Sequence, residues 1–288
     1  MLHVAILGGD RRFLALIETL SAYVDTLYTV GFDELADNVN VVRSSLENIP
    51  FEQLSAVIVP VQGIGDDGSI DVLNGQSKQL STAHVERTNK ECIWITGVRT
   101  EFLKKIKDRK VMSFLDREDV AILNSIPTAE GCLQLAIEKT DHTIHGSTVC
   151  VFGYGRCGQT IADVFKGVGA NVTVTTIVEK EEARAAQRGF QTLLFTEFEQ
   201  SLNSFDIVIN TIPAHLFTPQ VLQQLKPSAF LLDISSKPGA FLKKDVTSLS
   251  NIVMNVPGLP GRVAPRTAGE ILGEATRKIL EKEFRHGS

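Results

Sequence analysis

Val149-Cys150-Val151-Phe152-Gly153-Tyr154-Gly155-Arg156-Cys157-Gly158 is the stretch that decides the fold of this 288-residue chain. Four apolar residues in a row read as a buried strand, and the G-x-G-x-x-G after them opens into a helical stretch. In that setting each glycine has a task. Gly153 permits the tight turn, Gly155 lets a pyrophosphate approach the backbone, and Gly158 lets the helix pack closely on the strand. The helix N-terminus then presents free N–H groups and the positive end of its dipole to phosphate. The expectation is a dinucleotide site formed by Gly153, Tyr154, Gly155, Arg156, Cys157 and Gly158 on a Rossmann-like βα unit.

Outward from this turn, short apolar runs recur at 2–7, 56–59, 92–95, 172–177, 207–209, 229–232 and 252–256, alternating with helical stretches. Continuous apolar runs suit parallel strands covered by helices on both faces. The fold class is therefore α/β, with two Rossmann-like doubly wound parallel-sheet domains and a cleft between them. The length admits two domains of ordinary size. Residues 1–125 are expected to form a flavodoxin/Rossmann-like substrate domain completed by a C-terminal helix, 266–288, and 126–265 an NAD(P)-binding domain. A helix is expected over 11–21. A break is expected at Asn124-Ser125-Ile126-Pro127, followed by a helix with Ala129, Cys132, Leu133, Ala136 and Ile137 on one face and Pro127 in its first turn. Residues 63–75 carry four glycines and read as a loop, either mobile or part of a site. On the last helix, Glu274/Lys278 and Glu281/Arg285 are spaced as i, i+4 pairs.

Composition narrows the function. The 29 basic residues against 34 acidic ones give a net charge of −5, which argues against a nucleic-acid binder. No apolar run approaches the ~20 residues that span a bilayer, and Met1-Leu2-His3-Val4 lacks the charged leader of a signal peptide. Cys92, Cys132, Cys150 and Cys157 stand singly, as free cysteines of a reduced cytoplasm do. No His, Cys or carboxylate cluster has metal-ligand spacing.

The second strand of the dinucleotide unit ends Val174-Thr175-Thr176-Ile177 without Asp or Glu, and Glu179 comes late. A missing carboxylate removes both the acceptor for a ribose 2′-OH and the repulsion of a 2′-phosphate. Thr176 can bond such a phosphate. Lys180 or Arg184 can neutralise it, or both are merely solvated helix charges. NADP is accordingly favoured, with NAD the alternative.

Other strand ends carry polar loops. Thr211, Ile212 and Pro213 follow one strand, and Ser235, Ser236 and Lys237 the next, where ligands of open α/β sheets sit. Thr211, Ile212, Pro213 and Ser235 are expected at the cofactor. Lys237, Arg262 and Arg266 are expected in three nearby loops, a set suited to a substrate with carboxylates, joined by Arg12, Ser125, Ser236 and Thr267. Gly8-Gly9-Asp10-Arg11-Arg12 repeats the strand–turn–helix pattern without a third glycine, and fits a small anion at Arg11 or Arg12 or a plain surface. A 2-hydroxyacid dehydrogenase needs a general base, commonly His. None of His3, His84, His142, His145, His215 and His286 falls in 257–267, where that base is expected.

Ile144-His145-Gly146-Ser147 leading into Val151-Phe152-Gly153-Tyr154-Gly155-Arg156 resembles the D-2-hydroxyacid dehydrogenases. Gly8-Gly9-Asp10, Val30-Gly31-Phe32-Asp33, Asn124-Ser125-Ile126-Pro127-Thr128, Asp141-His142-Thr143-Ile144-His145-Gly146-Ser147, Asn210-Thr211-Ile212-Pro213 and Pro257-Gly258-Leu259-Pro260-Gly261 carry a closer resemblance, to the A subunits of dipicolinate synthases. That resemblance implies a cytoplasmic enzyme of sporulating bacteria, in the mother cell. With a flavoprotein-like B subunit it oxidises a dihydrodipicolinate-type intermediate of lysine synthesis to dipicolinate, the hydride passing to a nicotinamide cofactor. It also places Lys237 near the carboxylate-binding Arg of the dehydrogenases and Arg266 near the position of their His. Ile177 departs from the pattern, standing where a relative has Arg, which weakens the preference for NADP. The alternatives are a 2-hydroxyacid dehydrogenase and a non-catalytic subunit that only binds cofactor, and self-assembly of the chain stays open.

Overall fold

The computed structural model describes residues 1–33, 39–247, 249 and 252–284. The chain divides into two compact units, Met1–Leu123 with Ala264–Ser288, and Asn124–Val263.

In the first unit, β1 (His3–Leu7), β2 (Thr26–Val30), β3 (Val41–Arg43), β4 (Ala56–Ile58), β7 (Ile93–Thr96) and β8 (Lys110–Ser113) form a six-stranded parallel sheet ordered β3-β2-β1-β4-β7-β8. Alternation along β1 decides its faces. Val4 and Ile6 enter one core with Phe13, Leu16 and Leu20 of α1 (Arg12–Ser21), while Ala5 and Leu7 enter another with Trp94. The opposite side also holds two short helices, α2 (Thr82–Arg87) and α3 (Glu101–Lys104), through Val85, Phe102 and Leu103. The 63–75 stretch leads through a short antiparallel pair, β5 (Ser69–Ile70) with β6 (Lys78–Gln79), and is pinned by buried Ile64, Ile70 and Val72.

The expected break at 124–127 does not occur. One helix, α4, runs through it from Glu118 to Lys139 with Pro127 inside. Proline removes one helical N–H and leaves the carbonyl four residues back, that of Leu123, without its partner. That carbonyl lies on an exposed residue, where water can serve it, and the Thr128 hydroxyl bonds the next carbonyl, Asn124 O, at 2.7 Å. By length and composition alone α4 is apolar enough to cross a membrane, but Ala129, Cys132 and Ala136 are fully buried against the second sheet.

The second unit repeats the design. β9 (Thr148–Phe152), β10 (Asn171–Thr176), β11 (Gln191–Leu194), β12 (Ile207–Asn210), β13 (Phe230–Asp233) and β14 (Ile252–Asn255) form a parallel sheet ordered β11-β10-β9-β12-β13-β14. Val149 and Val151 point into a core shared with α4 and α5 (Arg156–Gly167); Cys150 and Phe152 point into a second, with Phe198 and Phe217. The strand order reverses beside β9, so the carboxyl ends of β9 and β12 flank the switch point where ligands of such sheets bind. The remaining helices are α6 (Glu179–Gln187), α7 (Phe198–Ser201), α8 (Pro219–Leu222), α9 (Lys243–Val246) and α10 (Leu259–Val263).

The last helix, α11 (Pro265–Phe284), returns to the first unit and packs along α1. Gly269 and Gly273 make this close approach feasible, because a Cβ at either would strike the Arg12 carbonyl or Thr19. Leu272, Ala275, Ile279 and Leu280 join the core beside Leu16 and Leu20. At about 1.5–3 kcal/mol per large apolar side chain, this seam stabilises the unit strongly. Of the expected pairs on α11, Glu274/Lys278 gives way to others, and Glu281/Arg285 is not tested. Arg277 spans Glu274 and Glu281 at 2.8 and 3.1 Å, Lys278 reaches Asp119 at 3.4 Å, and Arg285 lies outside the described residues.

Candidate functional site

The turn after β9 has the geometry that its glycines predict. Gly153 adopts φ +85°, a left-handed conformation, and a Cβ there would lie 2.6 Å from Thr211 Oγ1. Its N–H donates to the Thr175 carbonyl at 2.8 Å. At Gly158 a Cβ would be driven into the Gly153 carbonyl oxygen, so only glycine lets α5 begin so near the strand. Gly155 is different: it forms the N-cap of α5, and a Cβ there meets nothing within 4 Å. The space over Gly155 is open on the side a ligand approaches. No acidic residue stands in the first turn of α5, so the positive end of its dipole is not neutralised from within the helix.

The flanking residues hold the turn. Tyr154 buries its ring edge-on to Phe190, and Gln159 Nε2 bonds the Tyr154 carbonyl at 3.0 Å. Arg156 is exposed. Cys157 is half-buried against the core, and burial pushes its thiol up, which disfavours the thiolate. Burial likewise pushes Cys92 up to about 12. All four cysteines are free.

The loop after β12 is locked from two sides. Thr211 Oγ1 donates to the Phe152 carbonyl at 2.8 Å, and Asn210, fully buried, donates to the Ile212 carbonyl while accepting from the Ile212 N–H. Pro213 and His215 are exposed beyond it. Asn210 also donates to Asp233 at the end of β13. The Asp233 carboxylate, completely buried, accepts further bonds from Ser235 N and Oγ, Ala240 N and Asn255 Nδ2 at 2.7–3.1 Å. Five donors thus fix the 233–240 loop around one side chain. Its crest carries exposed Ser236 and Lys237, with Ser235 buried beneath and a cis bond between Lys237 and Pro238. Lys237 makes no ion pair among the described residues.

Thr176 is not free to greet a phosphate. Its hydroxyl donates to Glu181 Oε2 at 2.7 Å and accepts from Val178 N at 3.2 Å. The same Glu181 oxygen accepts the Tyr154 N–H at 3.2 Å, tying the first turn of α6 to the glycine turn. Lys180 and Arg184 stand exposed on the same helix. Sequence reasoning passed over Glu181; the acid-rich opening Glu179-Lys180-Glu181-Glu182 was the available signal, but only the helix geometry selects its third residue.

The expected basic set is not gathered in three loops. Lys237 and Arg262 belong to the second unit, Arg262 on α10; Arg266 and Thr267 lie in the first turn of α11, in the first unit. Arg266 pairs with Glu270 at 3.0 Å and Glu18 at 3.6 Å. Arg12 grips Asp10 with two parallel bonds, Nε–Oδ1 at 2.9 Å and Nη2–Oδ2 at 2.6 Å, so its fork is already filled. Arg11 is the exposed arginine of that turn. Ser125 is buried, its hydroxyl 2.6 Å from that of Thr160 on α5. Among the described residues no three His, Cys, Asp or Glu side chains group as a metal site.

Comparison with known proteins agrees with this geometry. Residues 3–116 match the family model for the N-terminal domain of the dipicolinate synthase A subunit, and 129–237 that for the NAD-binding domain of D-isomer-specific 2-hydroxyacid dehydrogenases. The chain is 37% identical over 284 residues to the dipicolinate synthase A subunit of Bacillus subtilis (strain 168), covering 97% of this chain and 96% of the relative. The crystal structure of the dipicolinate synthase A subunit from Bacillus halodurans superposes with a TM-score of 0.93 at 35% identity, covering 97% of both chains. The crystal structure of its Bacillus subtilis counterpart gives 0.91 at 36%, covering 99% of this chain and 97% of that one. Near-complete coverage at this identity, together with a dehydrogenase-type nicotinamide-dinucleotide domain, places the chain in the family of dipicolinate synthase A subunits.

Proposed function

We propose that this chain binds a nicotinamide dinucleotide on its second unit and, with a B-subunit partner, oxidises a dihydrodipicolinate-type dicarboxylate to dipicolinate. The observation that carries the reading is the open space over Gly155 at the bare N-terminus of α5, a cradle that a Cβ would fill and that no side chain of the turn occupies. When bound there, the nicotinamide supplies a two-electron acceptor for the hydride, and the remaining proton leaves to solvent or a base. What the chain supplies is position. Gly153 shapes the turn, Gly158 lets α5 start close to the strand, and the first turn of α5 after Gly155 offers its backbone N–H groups to the pyrophosphate; Thr211, Ile212, Pro213 and Ser235 are assigned to the switch point, and Lys237, without an ion pair among the described residues, offers its ammonium to a carboxylate. Aromatisation needs no deprotonated alcohol, which fits a chain whose histidines lie elsewhere than 257–267. The first unit is assigned to the substrate. Arg262 and Ser236 support Lys237, and Arg266, Thr267, Arg12 and Ser125 retain a substrate role by resemblance alone. The setting is the mother-cell cytoplasm of a sporulating bacterium, as the family implies.

Purified chain combined with substrate and the B subunit is expected to form dipicolinate with one nucleotide reduced per turnover; product without nucleotide reduction overturns the proposal. Lys237→Ala is predicted to cost about 10–100-fold in kcat/KM, the worth of one charge-assisted bond to a carboxylate. Full turnover by that variant moves the chemistry onto the partner and leaves this chain the role of binding cofactor.

A further inference from the structure

Resting on the reading above that this chain works with a B subunit, we propose that the outer face of α4 seats an amphipathic helix of that subunit, apolar along its contact stripe and carrying one Lys or Arg that meets Glu130. α4 is apolar on both sides. Its inner side is buried, with Ala129, Cys132 and Ala136 in the core of the second unit. Its outer side carries Leu123, Ile126, Glu130, Leu133 and Ile137, spaced alternately by three and four residues. That period is the seam along which two helices pack, knobs into holes. Leu123, Ile126 and Ile137 are 44%, 49% and 60% exposed, and Leu133 is half-buried. Single aliphatic side chains on a surface are ordinary, whereas a row of them along one helix marks an interaction face. A helix apolar all round belongs in an interior, and this chain covers only its inner side.

Charge decides the occupant. Glu130 stands in the middle of the row, exposed, with no ion pair or hydrogen bond among the described residues. From Glu118 to Glu138 the helix carries four acidic side chains and no basic one, with Lys139 at its end. A charged residue within an apolar seam sets partner and register, because it must meet its complement when the seam loses water. A second copy of this chain fails that requirement. Parallel or antiparallel, two such seams in register bring Glu130 against Glu130, and like charges that lose water repel strongly. An anionic bilayer surface attracts basic helices, and this one is acidic. What complements the face is a helix with aliphatic side chains at matching intervals and one cation at their centre. The inner side of α4 meets α5, Ser125 Oγ lying 2.6 Å from Thr160 Oγ1, so a subunit seated here is joined through two packed helices to the dinucleotide turn.

Full-length chain and purified B subunit, followed by isothermal titration and sedimentation velocity, test this. Ile126→Asp and Glu130→Lys are each expected to weaken the complex at least tenfold, and Ile137→Asp, at the far end of the row, to act in the same sense. Thermal unfolding and nucleotide binding by the chain itself should hold in all three, because the altered side chains face water. The advantage of the unaltered chain over Glu130→Gln should shrink as salt is raised. A complex that Ile126→Asp and Glu130→Lys leave as tight as before overturns the seat and leaves the partnership standing. A chain that dimerises by itself, and that Ile126→Asp dissociates while the B subunit still binds, gives the face to a second copy and overturns the seat as well. No complex between the unaltered chain and the B subunit overturns both.

Discussion

Gly155 and Gly158 lie three residues apart in one motif and answer to different forces. Gly158 is required by the protein itself, since a Cβ there collides with the Gly153 carbonyl. Gly155 is required only by what lies outside the protein, since a Cβ there touches nothing. Substitution should therefore separate them. Gly155→Ala is predicted to leave thermal unfolding unchanged and to weaken nucleotide binding in titration at least tenfold, whereas Gly158→Ala should lose binding and also about 1–3 kcal/mol of stability in denaturant unfolding. All three glycines were legible from spacing alone, because a strand–turn–helix at a phosphate site leaves so few alternatives. Glu181 and Asp233 were not. Each also binds a residue distant in sequence, Tyr154 at 27 positions from Glu181 and Asn210 at 23 from Asp233, and local spacing does not single out either side chain for that contact. The Arg12–Asp10 pair is hidden for a related reason: a guanidinium in a glycine turn looks free until the neighbouring Asp10 is seen to hold it.

Among the elements, strands buried on both faces stood out as apolar runs, and of those at the sheet margins only β14 did. β3, β8 and β11 carry exposed residues such as Val42, Lys110 and Leu194, so their runs are broken by polar positions. β2 was hidden likewise by half-buried Thr26 and Tyr28. α4 was split on paper because proline usually ends a helix; here the exposed side of the helix absorbs the loss. The β9–β12 pair is joined by a charge. Burial alone would raise the Asp206 carboxyl, but the Lys226 ammonium and the Thr148 N–H and hydroxyl outweigh it and lower it from 3.8 to about 2. A carboxyl depressed on folding stabilises the protein above its unfolded value, and that stabilisation is lost as pH falls from about 3.8 towards 2. Asp206→Asn should remove on the order of 2 kcal/mol of stability at neutral pH and flatten that part of the acid-unfolding curve followed by circular dichroism. At the α1–α11 seam, Gly273→Leu is predicted to cost about 1–3 kcal/mol or more in thermal unfolding, because Thr19 sits where its Cβ must go.

Across the whole molecule, two similar sheets have met different fates. Each begins strand–glycine turn–helix, and each reverses strand order beside its first strand. In the second unit the turn keeps three glycines and an open helix end; in the first, Asp10 and Arg12 close the turn with an ion pair. Fold class and the dinucleotide turn were readable because they depend on local spacing and on burial of continuous runs. Substrate recognition was less so, since basic residues close in sequence, Arg262 and Arg266, fall on different helices of different units. The return of α11 to α1 has a consequence for the order in which the protein is made. A ribosome releases all six strands of the first sheet, then the whole of 124–263, before the helix that covers Leu16 and Leu20 emerges. The inserted unit, contiguous in sequence, can complete its core while the first unit still lacks a wall. The nascent amino-terminal half must therefore be shielded, by its own transient collapse or by a chaperone, until the final helix arrives.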